Sequence, residues 1–326
     1  MSTAVRRSKN PLQQLFTRLD ALQRRHHALS FPLAVIKKYS DDEAGHQAAL
    51  LTYYGFLSLF PLLLVATSAV DLIAQHHETL RGRLLADINS YFPIVGNQLQ
   101  ASVHNTKTGL ALILGLLVAV YGARGIADAV RSALDHAWAV PKARRSGFPK
   151  NLLRSLGLLF GAGLGLLLTT GLASLATAAL GRSLIFRLIP ILITVGLLYL
   201  IFMYVFLVGT SRRHPRADIR LGAVVAAVGL LLLQTVGGYL ITHELRNLTG
   251  LYGQFALVLA ILFWIYLQAQ VFTYAIEINV VHTYRLWPRS LTAPLTAADR
   301  KAFRLYAEKE AFRPQPEEEI DVRFQS

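Results

Sequence analysis

Residues 252–279 read YGQFALVLAILFWIYLQAQVFTYAIEIN, and this stretch decides the fold. It is long enough to cross a bilayer, which takes about 20 predominantly apolar residues. Glu277 lies near its end, and Tyr266, Gln270 and Thr273 precede it at steps of three or four residues. That spacing places the four side chains on one narrow face of a helix, here called the polar stripe. A carboxylate inside a spanning helix costs roughly 2.5–3.5 kcal/mol, so we expect the stripe to face protein or water rather than lipid.

The composition is that of an integral membrane protein. Of the 326 residues, 53% are hydrophobic and 16% are charged, whereas soluble domains are about 45–50% apolar. The net charge is +14, but the basic residues form clusters between apolar stretches instead of one nucleic-acid-binding face. We therefore expect membrane lipids as partners and no nucleic acid. The chain has no cysteine, which excludes disulfides and thiolate metal sites.

Six apolar stretches predict an all-α bundle of six transmembrane helices. They span about 48–71, 108–126, 151–177, 184–209, 218–240 and 252–281. Residues 1–47 then form a basic N-terminal region with an amphipathic helix, residues 48–284 the transmembrane domain, and residues 285–326 a polar tail. All but six of the 33 Lys and Arg residues lie in the termini and in alternate connections. By the positive-inside rule, both termini are predicted to be cytoplasmic.

Two short signals predict helix starts outside the apolar stretches. Residues 40–43, Ser-Asp-Asp-Glu, have the spacing of a capping box and predict a helix that leads into the first span. Residues 296–300, Thr-Ala-Ala-Asp-Arg, predict a short helix in the tail. The prolines and glutamates after residue 313 predict disorder beyond it.

The polar residues and the proline of the first apolar stretch predict either that this helix lines a cavity or that it is simply kinked. Tyr54 and Ser58 lie one helical turn apart, and Pro61 removes a backbone hydrogen bond. In a bundle, the freed backbone groups need partners away from lipid, and nearby hydroxyls either line a cavity or satisfy the kink locally.

Four charges of alternating sign follow the second stretch: Arg124, Asp128, Arg131 and Asp135. Exposed pairs at this spacing stabilise a helix by about 0.2–0.5 kcal/mol each, so a solvated helix extension is one interpretation. In the other, Arg124 pairs with Glu277 near the inner boundary, which would lower the cost of burying both charges. Arg124 and Asp128 are candidate head-group contacts along a pathway.

Gly157, Gly161 and Gly165 form a glycine face in the third stretch. Such a face predicts close approach of another helix. The partner is either a helix of the same chain or a second copy, which would make a homo-oligomer.

The sequence contains none of the common catalytic motifs of soluble enzymes. There is no P-loop, no Gly-x-Ser-x-Gly and no His-Glu-x-x-His. We assign no catalytic residue, no metal ligand and no cofactor, and we expect that the protein is not an enzyme.

Together, four segments carry a resemblance to a known family. They are ALLTYYGFLSLFPLL at 49–63, YGARGIADAVRSALDHAWAVP at 121–141, LGAV at 221–224 after a basic loop, and residues 252–279. Over about residues 30–285 the chain resembles the YihY/virulence factor BrkB family. Ala275, Asp135 and Leu221 stand where that family tends to have Gly, Asn and Pro, which loosens expectations about local geometry there.

The resemblance implies a bacterial inner-membrane protein with a six-helix core and no settled biochemical activity. The family was once labelled ribonuclease BN, a label that the residues here disfavour because no metal-hydrolase histidine pattern exists. Association of the family with serum resistance implies work on lipid or envelope components.

From these signals we expect a transport-type protein. It would move a lipid or an amphiphilic organic anion along a groove lined by the first, second and sixth spans. The rival interpretation is a membrane scaffold that assembles envelope machinery without transport, with Glu277 tightly paired and dry. A membrane-embedded enzyme or nuclease is the third, and it would need a constellation that this sequence does not supply.

Overall fold

The structure is a computed structural model, and it describes residues 20, 23, 27–74, 124–145, 147, 150–179, 184–243, 253–291, 294–313 and 320–324. Within these ranges the protein is helical and contains no β-strand. The helices are α1 His27–Asp41, α2 Ala44–Ala74, α3 124–137, α4 Lys150–Ala179, α5 Leu184–Gly209, α6 Arg216–His243, α7 Gly253–Tyr284 and α8 Ala297–Lys309. A short 3-10 turn, Lys142–Arg144, follows α3.

Helices occupy the positions of five of the six apolar stretches. Three segments of the described chain are long and apolar enough to cross a membrane: Leu188–Gly209, Arg216–Gly237 and Val258–Tyr284. The second predicted span lies almost entirely outside the described residues. The six-helix count and the cytoplasmic termini therefore stay predictions.

Helix α7 is the central element of the bundle. It packs against α1, α2 and α6, while α5 packs between α4 and α6. Small residues allow the close contact between α6 and α7. Ala223 and Ala226 of α6 are fully buried, and a side chain at Gly222 would collide with the carbonyl of Ala275 in α7.

The outer surface of the bundle is more apolar than that of a soluble protein. Large apolar side chains point outward on several helices, with Leu192 68%, Phe160 66% and Phe263 62% exposed. By contrast, Lys38 and Glu277 are each only 1% exposed. Soluble monomers rarely expose such extensive apolar surface, so these outer faces suit contact with lipid tails.

The glycine face of α4 lies against α5 of the same chain. The Tyr204 hydroxyl donates to the Gly157 carbonyl at 2.5 Å, and a side chain at Gly161 would collide with the Tyr204 ring. A side chain at Gly165 would likewise collide with Ile201. The helix that approaches this face is therefore an intramolecular neighbour.

The two predicted helix starts have different outcomes. The capping box at residues 40–43 is wrong, because Ser40 lies in the last turn of α1. The predicted helix that leads into the first span is present as α2, and it begins at Ala44. Glu43 takes a positive φ of 51° in the turn that reverses the chain between them. The helix predicted at Thr296 is confirmed, since Thr296 and Asp299 form a reciprocal capping box at the start of α8.

Both ends of the chain contribute packed structure next to the bundle. Helix α1 packs on α7 and α2, and the segment after α7 buries Leu286 and Arg289 completely or nearly so. The amphipathic helix predicted near the N-terminus lies largely outside the described residues.

Candidate functional site

A buried charge cluster lies where α1, α3, α7 and α8 meet. We define it as Lys38 in the last turn of α1, Asp42 in the following turn, Glu277 in α7 and Lys309 at the end of α8. The first three are each 2% exposed or less, and Lys309 is 8% exposed. Two ammonium groups and two carboxylates thus share a largely dry site.

Lys38 is the centre of this buried charge cluster. Its ammonium group donates to the Asp42 carboxylate, to Glu277 Oε2 at 3.1 Å and to the Ala137 carbonyl oxygen at 3.1 Å. An ammonium group has three N–H donors, so each of them has an acceptor. Burial alone would lower the pKa of Lys38, but Glu277 and Asp42 outweigh it and hold that pKa above its usual range. Lys38 is therefore a fixed positive charge.

Lys309 and an aromatic ring close the cluster on the α8 side. The Lys309 ammonium lies 3.6 Å from Asp42 Oδ1 and 3.2 Å from His136 Nε2. The Tyr306 ring centroid lies 5.4 Å from Lys38 Nζ and 5.7 Å from Lys309 Nζ, which is cation–π range. Burial lowers the pKa of His136, and the positive charge of Lys309 lowers it further. The imidazole is therefore neutral at pH 7.

A second set of ion pairs fastens α1 to the segment after α7. Arg289 Nε lies 2.6 Å from Asp299 Oδ1, and Arg289 NH2 lies 2.7 Å from Asp41 Oδ2. Lys37 approaches the same Asp299 carboxylate at 3.1 Å. Burial alone would raise the pKa of Asp299, but hydrogen bonds from Ser290 and Arg289 hold it far below its usual range. Asp299 therefore stays ionised and anchors the start of α8.

Helix α1 covers the Glu277 end of the polar stripe. The Tyr39 ring stacks on Tyr274 with centroids 4.0 Å apart, and its hydroxyl lies beside Thr273 and Gln270. Thr273 is 2% exposed and donates its hydroxyl to the Ala269 carbonyl at 3.0 Å. Further along α7, Tyr266 packs half-buried against the core. The stripe therefore faces protein along its length, with α1 over its charged end.

The predicted pairing of Arg124 with Glu277 is wrong. Arg124 Nε bonds Asp128 Oδ2 at 3.2 Å, with both side chains about one third exposed, and the partner of Glu277 is Lys38. The sequence analysis counted Lys38 only among the basic residues that predict the membrane topology. It did not predict that α1 would pack onto α7 and bring a closer cation.

Helix α3 is more than a solvated extension. Arg131 and Asp135 are each 4% exposed. Arg131 NH1 donates to the Asn151 carbonyl of α4 at 3.1 Å, while Asp135 accepts the backbone N–H of Ser211 at 2.7 Å and its hydroxyl at 2.6 Å. The solvated interpretation is therefore wrong for these two residues, which tie α3 to α4 and to the connection after α5.

The candidate residues of the first span lie along α2. The Tyr54 ring packs against Gly125 of α3, and Ser58 is 1% exposed and donates its hydroxyl to the Gly55 carbonyl at 3.0 Å. The prediction for Pro61 falls outside the side chains that the structure describes. A pathway-lining role for these residues stays a prediction.

Sequence reasoning missed most of the buried charge cluster. Lys38 and Asp42 are four residues apart and face one side of a helix end, which is the one local signal that could have found them. Lys309 lies in the segment that was predicted only as a polar tail with a short helix. Within the described residues, no group of three or more His, Asp or Glu side chains is placed to hold a metal ion.

Comparison with known proteins confirms the family resemblance. Residues 35–300 match the sequence model of the family described as virulence factor BrkB. An inner membrane protein, YhjD, of Escherichia coli K12 is 22% identical over 281 residues, covering 79% of this chain and 82% of that protein. No solved structure matches the chain.

Two further relatives carry different descriptions. A UPF0761 membrane protein of Pseudomonas paraeruginosa is 25% identical over 279 residues, covering 82% of this chain and 66% of its own length. A Bacillus subtilis protein named as ribonuclease-like, YfkH, is 22% identical over 266 residues, covering 78% of this chain and 95% of that protein. The chain thus spans about two thirds of the Pseudomonas protein and nearly all of the Bacillus one.

Proposed function

The chain belongs to the virulence factor BrkB family of membrane proteins, and from that premise we propose that it is a transporter or flippase-like protein. It would move a lipid or an amphiphilic organic anion in the bacterial inner membrane and so influence envelope properties. The observation that carries this proposal is the buried charge cluster, which joins α1 to the polar stripe of α7 through Lys38 and Glu277.

Charge burial of this kind is a costly way to hold two helices together. Buried ion pairs can often be replaced by apolar side chains without loss of stability, and ionisable residues at membrane depth commonly belong to substrate or proton pathways. Helix α1 is therefore attached to α7 by contacts that another charged group can exchange with. Release of α1 would uncover Gln270, Thr273 and Glu277.

A phosphate or carboxylate head group has the chemistry to drive that exchange. It can accept charge-assisted hydrogen bonds from Lys38 in place of Asp42 or Glu277. Uptake of a proton by Glu277 would weaken its hold on Lys38 in the same way. After either event, a donor of Lys38 no longer binds a carboxylate of the cluster and can bind an anionic head group.

Liposome reconstitution tests this proposal. The purified full chain is placed in vesicles that carry fluorescent phospholipids, and in parallel vesicles loaded with an organic anion. We expect wild-type protein to accelerate movement of at least one cargo over protein-free vesicles, and Glu277→Gln to change that rate severalfold. If no lipid or organic anion moves, and wild type matches Glu277→Gln, the transport proposal is lost.

The alternative function is a non-transporting scaffold for envelope machinery. The observation that favours it is the closed state of the cluster, in which each donor of Lys38 has an acceptor and Glu277 is 1% exposed. If the protein is a scaffold, no cargo should move in the liposome assay. Lys38→Met should then lower the stability of the protein and change no transport rate. Ribonuclease activity is not proposed, because the sequence lacks a metal-hydrolase histidine pattern.

A further inference from the structure

A polar cavity lies beside α3, and none of its lining residues belongs to the buried charge cluster. Its volume is about 180 Å³, whereas roughly 10–15 Å³ suffices to hold one water. It is lined by Asp128, Arg131, Ser132, Asp135, Arg145 and Asn151. Helix α3, the connection after it and the start of α4 supply these residues.

The carboxylates of this polar cavity are already engaged elsewhere. Asp128 accepts the Ser155 hydroxyl on one oxygen and Arg124 Nε at 3.2 Å on the other. Asp135 accepts two hydrogen bonds from Ser211, one on each oxygen. Both acidic side chains are therefore held by protein groups.

The guanidinium donors of the cavity are only partly engaged: Arg131 NH1 donates to the Asn151 carbonyl at 3.1 Å and to the Ser155 hydroxyl at 3.4 Å. Arg131 is 4% exposed, and its Nε finds no acceptor among the residues that the structure describes. Arg145 donates from Nε to the Val140 carbonyl at 3.4 Å, and its terminal nitrogens have no acceptor within the described ranges. A guanidinium carries five N–H donors in a fork that fits an oxyanion.

The local charge also favours an anion. Arg154 acts on Arg131 from α4, and Arg124 lies one turn before Asp128 on α3. Arg131 and Arg145 line the cavity together with two carboxylates, and Arg124 and Arg154 add positive charge beside Asp128 and Arg131. The pKa of Arg131 lies below its usual value because burial disfavours the charged form; Asp135 and Asp128 act to raise this pKa and Arg154 to lower it, and the effect of burial prevails.

We propose that this cavity is a binding site for a phosphate group, held by Arg131 and Arg145. A lipid head group and free inorganic phosphate present the same chemistry to the site. The proposal does not require transport, because binding is measured without movement of any cargo. Loss of flux with retained binding would refute the proposed function alone.

The test uses the full-length protein purified in detergent. Its thermal unfolding midpoint is measured against sodium phosphate, with sodium chloride at matched ionic strength, and separately against short-chain phosphatidic acid with the matching neutral diacylglycerol. A ligand that binds only the folded state raises the midpoint with concentration. A rise with both probes indicates a site open to free phosphate, and a rise with phosphatidic acid alone indicates a lipid head-group site. No rise with either probe overturns the proposal.

Variants connect the effect to the cavity. Arg131→Gln and Arg145→Gln each remove a charged donor, and we expect phosphate binding to weaken about tenfold to a hundredfold in each. Arg213→Gln makes the same charge change at an exposed position of the α5–α6 connection and should bind as wild type does. If Arg131→Gln does not fold, Arg145→Gln decides. Binding in the cavity variants equal to that of Arg213→Gln places the anion elsewhere and overturns the proposal.

Discussion

Replacing Lys38 by Met should destabilise the protein more than any other single charge removal in the cluster. The substitution keeps a long side chain but removes the ammonium group. It leaves the carboxylates of Glu277 and Asp42 and the Ala137 carbonyl without the donors that now bind them. Asp42 retains Lys309 at 3.6 Å, but Glu277 loses its ion-pair partner.

The expected loss follows from the burial of these groups. Removing one partner of a buried ion pair costs about 3–5 kcal/mol, because an uncompensated charge stays behind. Glu277→Gln should cost less, about 1–3 kcal/mol, since an amide oxygen still accepts from Lys38 and Asp42 still pairs with it. The double variant should show a coupling energy of about 0.5–3 kcal/mol, as contacting residues do.

Chemical unfolding in detergent, followed by circular dichroism, measures these free energies. Lys150→Met is the matched control, because it makes the same substitution at an exposed position at the start of α4 and should leave unfolding unchanged. If Lys38→Met unfolds at the same midpoint as Lys150→Met, the ammonium does not hold α1 to α7.

Three further predictions follow from the packing and the ionised groups. Gly222→Ala should destabilise the protein by about 1–3 kcal/mol, because its Cβ would collide with the Ala275 carbonyl. The control is Gly163→Ala, whose Cβ would enter open space, and it should be neutral or stabilising in the same unfolding assay. Burial lowers the pKa of His214 to about 4, and the charge of Arg212 contributes to this shift. As pH falls from 6.5 towards 4, the imidazole is therefore protonated in the unfolded chain but not in the folded protein, and stability should drop. His214→Phe should flatten the slope of the unfolding midpoint against pH over that window. The pKa of Asp299 is held far below the usual 3.8, so its contribution to stability should be complete above pH 3.8 and should fall only gradually below it. Asp299→Asn should therefore speed proteolysis of α8 at pH 7 and still do so at pH 3, because Asp299 of the folded wild type remains ionised there.

The helical bundle was predictable because its signal is large and local. Each apolar stretch has about 20 residues or more, and this length alone predicts a spanning helix. Helix α5 begins and ends at the predicted residues 184 and 209. The start of α8 was predictable for a similar reason, since the Thr296 capping box is complete within four residues.

The site was less predictable because its residues come from distant parts of the chain. Glu277 was identified from its isolation in an apolar stretch, yet its partner Lys38 lies 239 residues away. No periodicity in residues 27–41 reveals that α1 packs onto α7. Arg124 was the nearest cation by topology, but Asp128 four residues on supplies a local partner, and a local pair forms at less entropic cost than a distant one.

The most direct test of the transport proposal locks α1 onto the polar stripe. The chain has no cysteine, so Tyr39→Cys with Tyr274→Cys introduces a pair where two stacked rings now meet at 4.0 Å. After reconstitution into liposomes, the two thiols are joined by a short cleavable bifunctional linker, and cargo movement is compared before and after cleavage. We predict that the joined protein loses the flux of lipid or organic anion seen with the unjoined protein, and that cleavage restores it. Equal flux in the joined and cleaved states would contradict a moving α1, and no flux in either state or in wild type would contradict transport itself.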